Sequence, residues 1–148
     1  KTLQLRWFIE HSHDWRILEG VRQGHSQCYA HERAGNLAIF DHPVDVLLRV
    51  SSVKPAAPKL HIEVYQTDEL HRLELAGYGF CHLPLLVGTH VVEILCWRPY
   101  GSWYQRITAA LIGGHPQFLK NKLVTSSANR FDLRSETTGT VHVTLSVL

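Results

Sequence analysis

No stretch of the 148 residues approaches the ~20 consecutive apolar positions that a bilayer-spanning helix needs. The apolar run from Val91 to Trp97 is interrupted by Glu93. Cysteine is scarce too: Cys28, Cys81 and Cys96 are odd in number and lack any C-x-x-C spacing. That pattern suits buried free thiols in a reducing, cytosolic compartment better than a disulfide framework. Charge of one sign is missing as well. The formal net charge is +2, and the fifteen basic residues never form a run, too little by itself to argue for a nucleic-acid or polyanion partner. Internal repeats and low-complexity segments are absent. Neither end carries a secretory or lipidation pattern. Methionine is missing altogether and the sequence opens on Lys1, so it reads as a trimmed piece of a longer chain.

What is present is a pattern of period two. The length suits one domain, 1–148, with a continuous core. In 59–66, Leu60, Ile62 and Val64 are expected to face inward, with His61, Glu63 and Tyr65 facing out. In 140–148, Val141, Val143, Leu145 and Val147 alternate with His142, Thr144 and Ser146. Val46, Leu48 and Val50 repeat the scheme in 45–51. Further strands are expected over 2–9, 24–30, 78–85 and 89–97. Turn residues separate them at Gly20, Gly35-Asn36, His42-Pro43, Pro55 with Pro58, and Gly88. One segment departs from this: Ser102 to Gln105 fits a capping box. Trp103, Ile107, Ala110 and Leu111 then recur at helical spacing, and Gly113-Gly114 closes the run. The expectation is an all-β antiparallel sandwich with one short inserted helix near 103–112; a lipocalin-like barrel is the alternative.

Enzyme chemistry finds little support. H-E-x-x-H, G-x-S-x-G and P-loop patterns are all missing. Cys81 adjoins His82, but neighbours on a strand point to opposite faces and make no nucleophile–base pair. Eleven histidines invite a metal reading, and His11-x-His13 places two rings on one side of an extended segment. Most of the others alternate with apolar residues on strands, as hydrogen-bonded or exposed side chains do. Trp97, Arg98 and Trp103 are the candidate contacts for a protein partner, because tryptophan and arginine dominate hot spots. The competing reading is structural, with Pro99 stopping a strand after Trp97 and Trp103 opening the helix. Lys120, Lys122 and Arg130 would supply only weak membrane attraction.

Ordered blocks carry a resemblance. Leu75-Ala-Gly77-Tyr78-Gly79-Phe-Cys-His82-Leu-Pro84 precedes Gly88-Thr89-His90. Trp97-Arg98-Pro99-Tyr100-Gly101-Ser102-Trp103, Ile112-Gly113-Gly114-His115-Pro116-Gln117 and Gly139-Thr140-Val141-His142-Val143 follow. With Trp15 to Val21 and His42-Pro43, this set resembles the B9-domain family over nearly the whole chain. The resemblance implies a divergent C2-like domain that lacks the family's leading strand and short C-terminal tail. It also implies a non-enzymatic scaffold without cofactors, in the tectonic-like (Meckel-syndrome) complex of the ciliary transition zone and basal body, within the cytoplasm and cytoskeleton. Implied partners are B9 domain-containing protein 1, the Meckel syndrome type 1 protein and other members of that complex. Gly77, Tyr78, Gly79, His82, Pro84, Gly88, Pro99, Gly113, Gly114 and Gly139 are the signature positions expected to be structural.

A C2 relative raises the question of calcium. The ion takes 6–8 oxygen ligands, and a calcium-binding C2 domain supplies about five carboxylates from two loops. Here Val64-Tyr65-Gln66-Thr67-Asp68 and Glu74 keep only Asp68 and Glu74 of one loop, and the opposing region 23–35 holds Glu32 alone. Such a set binds calcium weakly, and no metal is expected.

Overall fold

The computed structural model describes residues 2–27, 29–30, 37–67, 70, 72–99 and 135–148. Every regular element among them is a strand: β1 (Thr2–Glu10), β2 (Trp15–Gly20), β3 (Gln23–His25), β4 (Tyr29–Ala30), β5 (Val46–Val50), β6 (Lys59–Thr67), β7 (Leu73–His82), β8 (Gly88–Pro99) and β9 (Ser135–Val147). Seven strands form one antiparallel sheet in the order β3-β1-β6-β7-β8-β9, with β4 also paired to β1. β2 and β5 form a second, two-stranded sheet. The described chain is therefore all-β and antiparallel. The expected helix near 103–112 lies outside the described residues.

Alternation builds the core. Trp7 sits opposite Ile62, Leu5 opposite Val64 and Ile9 opposite Leu60, so one face of β1 and β6 is continuously apolar. Leu5, Trp7, Ile9, Leu60, Ile62, Ile94 and Cys96 form the buried cluster. Val92, Val141, Val143 and Leu145 extend it, and Phe40 and Val46 pack on it from outside the large sheet. Each fully buried large apolar side chain contributes roughly 1.5–3 kcal/mol. Room for the Trp7 indole comes from its cross-strand partner Gly24, where a Cβ would lie 3.0 Å from the ring.

Three expectations need correcting. His61, Glu63 and Tyr65, expected to face out, are 1%, 1% and 6% exposed, so β6 is buried on both faces. The strand expected over 24–30 is two pieces, because Ser26 interrupts it. Its amide donates to the Leu5 carbonyl at 2.7 Å, and its Oγ accepts from the Leu5 amide at 3.0 Å and donates to the Gln27 carbonyl at 2.9 Å. The side chain thus satisfies backbone groups that a strand ladder would use. β2 was not anticipated as a strand at all. A register shift between Ile17 and Glu19 breaks its alternation. The turns at Gly20 (φ 91°) and Gly88 (φ 134°) use backbone conformations that suit glycine.

Candidate functional site

The second face of the large sheet carries the unusual chemistry. β1 brings Phe8 opposite His61, and β7 brings Phe80 opposite it on the other side. The imidazole stacks on Phe8 with ring centroids 4.5 Å apart and an interplanar angle of 7°. Phe80 lies 5.7 Å away in a second stacked contact. Both ring nitrogens are engaged. Nε2 lies 2.6 Å from Glu10 Oε2, and Nδ1 meets the Tyr78 hydroxyl. An ionised carboxylate only accepts, so Nε2 donates to Glu10, and in the neutral ring Nδ1 accepts from Tyr78. Burial pushes the Tyr78 hydroxyl well above its ordinary value, helped by the charges of Glu63 and Glu10. It stays protonated at neutral pH.

One step along the strands, Arg6 sits opposite Glu63 and Gln4 opposite Tyr65. The Tyr65 hydroxyl donates to Glu63 Oε2 at 3.2 Å, and Arg6 Nε approaches the same oxygen at 3.8 Å. Desolvation first, and the Glu63 charge second, push the Tyr65 hydroxyl up. The row places an acid, a base and a hydroxyl in sequence, Glu10–His61–Tyr78, yet Tyr78 is only 5% exposed. A nucleophile needs an approach for substrate and a lowered pKa; Tyr78 has neither. Its chemistry is that of a hydrogen-bonded cross-brace between β1, β6 and β7. An open depression of about 400 Å3 lies elsewhere, lined by Glu19, Gly20, Asp45 and Leu47.

The described signature residues are spread over β7, β8, β9 and the turn between β7 and β8. Tyr78 supplies the hydroxyl of the brace, and Trp97 packs edge-on to Tyr78 with centroids 5.6 Å apart. Gly77 and Gly79 face the core side. A Cβ at Gly79 would meet Ile94 Cγ2 at 2.7 Å and the Leu95 carbonyl oxygen at 2.8 Å, and one at Gly77 would meet Thr138 Oγ1 at 2.5 Å. These glycines let β8 and the start of β9 lie close. Gly139 has open space around it. Gly88 makes the turn into β8, and Pro99 is its last residue. His82 is exposed on the edge of the Phe80 ring, and Pro84 follows β7. Arg98 is half-buried. Trp103, Gly113, Gly114, Lys120, Lys122 and Arg130 lie outside the described residues.

The remaining candidates are dispersed. Glu74 accepts from Gln66 Nε2 at 3.0 Å, and Asp68 lies outside the described residues. His11 Nδ1 bonds the Ser12 carbonyl at 3.0 Å, while His13 is exposed beside Asp14 at 3.5 Å. Among the described residues, no group of three or more His, Cys, Asp or Glu is placed to hold a metal. Cys81 packs against the core while His82 is exposed on the opposite face, as strand geometry requires. Cys81 and Cys96 are free thiols, and burial pushes Cys96 up to about 11. Sequence reasoning missed the His61 brace. Its one linear signal was His61, Glu63 and Tyr65 recurring on one face with two aromatics, Tyr78 and Phe80, matching it in β7.

Residues 1–148 match the family model described as "Ciliary basal body-associated, B9 protein". B9 domain-containing protein 2 of Bos taurus is 37% identical over 147 residues, 99% of this chain and 83% of that protein. The Homo sapiens protein of that name matches at the same identity and coverage. B9 domain-containing protein 1 of Xenopus laevis is 29% identical over 149 residues, 99% of this chain and 74% of that protein. No solved structure matches. None of these names is that of an enzyme. With the residues that carry the resemblance spread over β7, β8 and β9 and the match spanning the full sequence, the chain belongs to the B9 family of ciliary basal body-associated proteins.

Proposed function

We propose that this protein is a non-enzymatic scaffold subunit of the tectonic-like complex at the ciliary transition zone. In this reading it binds other B9-domain proteins, including B9 domain-containing protein 1 and the Meckel syndrome type 1 protein, and so supports ciliogenesis and the diffusion barrier. Its strands form a C2-like sandwich that serves as a binding body. The match of the whole chain to two named branches of one family carries this reading. A long strand is available for such contacts. β9 spans 13 residues and, among the described residues, pairs only with β8. Beyond the bulge at Thr138, its residues from Gly139 to Val147 include no lysine, arginine or proline, residues that protect a sheet edge from pairing with another chain. Arg98 and Trp97 are proposed as neighbouring contacts. Co-purification of the chain with the two named proteins tests this. Stable co-elution at micromolar concentrations is expected, and separate elution of all three overturns it.

A second reading, calcium-independent lipid contact, rests on one feature. The β7–β8 turn exposes Leu85, Leu86 and Val87 in succession, the last two at 76% and 78%. Flotation with anionic vesicles separates the readings, because capture that persists in high salt favours lipid contact through this turn.

A further inference from the structure

The two-stranded sheet holds a pair of like charges in direct opposition. Arg16 of β2 is the cross-strand partner of Arg49 of β5, and both are exposed. Directly opposite residues in an antiparallel pair have Cβ atoms about 4.5–5.5 Å apart, and like charges there are destabilising. Neither guanidinium makes an ion pair or a hydrogen bond among the described residues. Glu19 lies two pairs along, opposite Leu47 and beyond the register shift, and bonds neither arginine. Leu47 shares the outward face with Arg49 and is 53% exposed; Leu18, at the register shift, is 52% exposed. The inward residues Val46 and Leu48 are half-buried, which fixes this face as the outer one.

Two guanidiniums on one face each offer a fork of donors, and a carboxylate placed between them accepts from both and cancels their repulsion. Arginine is also among the residues enriched at protein hot spots. An anionic bilayer fits less well. Asp14, Glu19 and Asp45 on and beside these strands outnumber the two arginines, so the sheet has no net positive field to draw a charged membrane. The requirement is local and directional.

We propose that the outer face of β2–β5, centred on Arg16 and Arg49, binds a protein segment that places a carboxylate between the two arginines and apolar side chains on Leu18 and Leu47. This surface belongs to the second sheet, not to β9, and its test needs no sister protein. The probe is a blocked peptide of alternating glutamate and leucine, titrated into the 148-residue chain while the guanidinium Nε–H signals of Arg16 and Arg49 are followed by NMR. Both signals are expected to shift together and saturably. The glutamine–leucine analogue, and the variant Arg49→Gln, are expected to bind at least about tenfold more weakly, the loss of one charge-assisted contact. The double variant Arg16→Gln/Arg49→Gln is expected to melt about 1–4 °C higher without ligand, since the repulsion is gone. Arginines held for structure would instead lower the melting point when replaced. Equal binding of the two peptides overturns the proposal. So does a lower melting point in the double variant, or capture by phosphatidylserine vesicles that needs both arginines while the peptide leaves them unmoved.

Discussion

Replacing Gly79 by alanine tests how closely β7 and β8 must approach. The added Cβ would lie 2.7 Å from Ile94 Cγ2, 2.8 Å from the Leu95 carbonyl oxygen and 3.2 Å from Cys96 Sγ. Ile94 is 1% exposed and Cys96 3%, so neither side chain has space to retreat, and the carbonyl is backbone. Overpacking of this kind costs about 1–3 kcal/mol. For a chain of this size that lowers the melting temperature by about 2–12 °C. Neighbouring glycines calibrate the argument. At Gly77 the nearest atom, Oγ1 of the exposed Thr138 at 2.5 Å, can rotate away, but Cys96 Cβ at 3.1 Å is fixed to its backbone, so a loss of about 1–2 kcal/mol, smaller than at Gly79, is expected. At Gly139 nothing lies within 4 Å, and alanine is expected to be neutral or to stabilise by up to about 1 kcal/mol through the unfolded chain. Thermal melts of the three variants give the ranking. A Gly79→Ala protein as stable as the parent, or a Gly139→Ala protein that is the worst of the three, would refute the reasoning.

Tyr78→Phe keeps the ring and removes the hydroxyl that meets His61 Nδ1. A loss of about 1–3 kcal/mol is expected, read from urea unfolding at neutral pH; an unchanged midpoint would remove the brace from the account. Alkaline pH acts in the same direction. Burial holds Cys96 up at about 11 against an ordinary 9.0, and Tyr65 and Tyr78 above their ordinary 10.0. A group with a raised folded pKa contributes stability that is complete below its unfolded pKa and is lost as pH rises towards the folded one. Stability is therefore expected to hold up to about pH 9 and to fall from there towards pH 11 and beyond. Urea midpoints at stepped pH check this, and a flat profile up to pH 11 contradicts it. Cys96 should likewise resist alkylation at neutral pH in the folded chain and react on unfolding; equal rates would place it at the surface.

The strands that alternate cleanly were legible. β9 reads valine and leucine in, threonine and histidine out, and its exposures follow that order. Strand ends were less so: β7 begins at Leu73 and stops at His82, ahead of Pro84. The outer face of β6 was misread because polarity in one strand says nothing about partners far along the chain. His61 finds Glu10 across 51 positions and Tyr78 across 17, and Glu63 lies opposite Arg6. Such pairings turn residues that look solvent-facing into a buried layer. β2 escaped notice for a related reason, since the irregularity at Leu18 exists only relative to β5. The ordered glycine, tyrosine and histidine blocks worked differently. They are contiguous in the chain, so their resemblance to the family could be read without knowing which strands pair, whereas the close approach of Gly79 to Ile94 could not.

Binding to other proteins of its own family is the proposed role of this chain. Sedimentation velocity of an equimolar mixture with B9 domain-containing protein 1, at micromolar concentration, measures that most directly. One faster boundary containing both chains is expected; two independent boundaries matching the separate proteins would overturn that role.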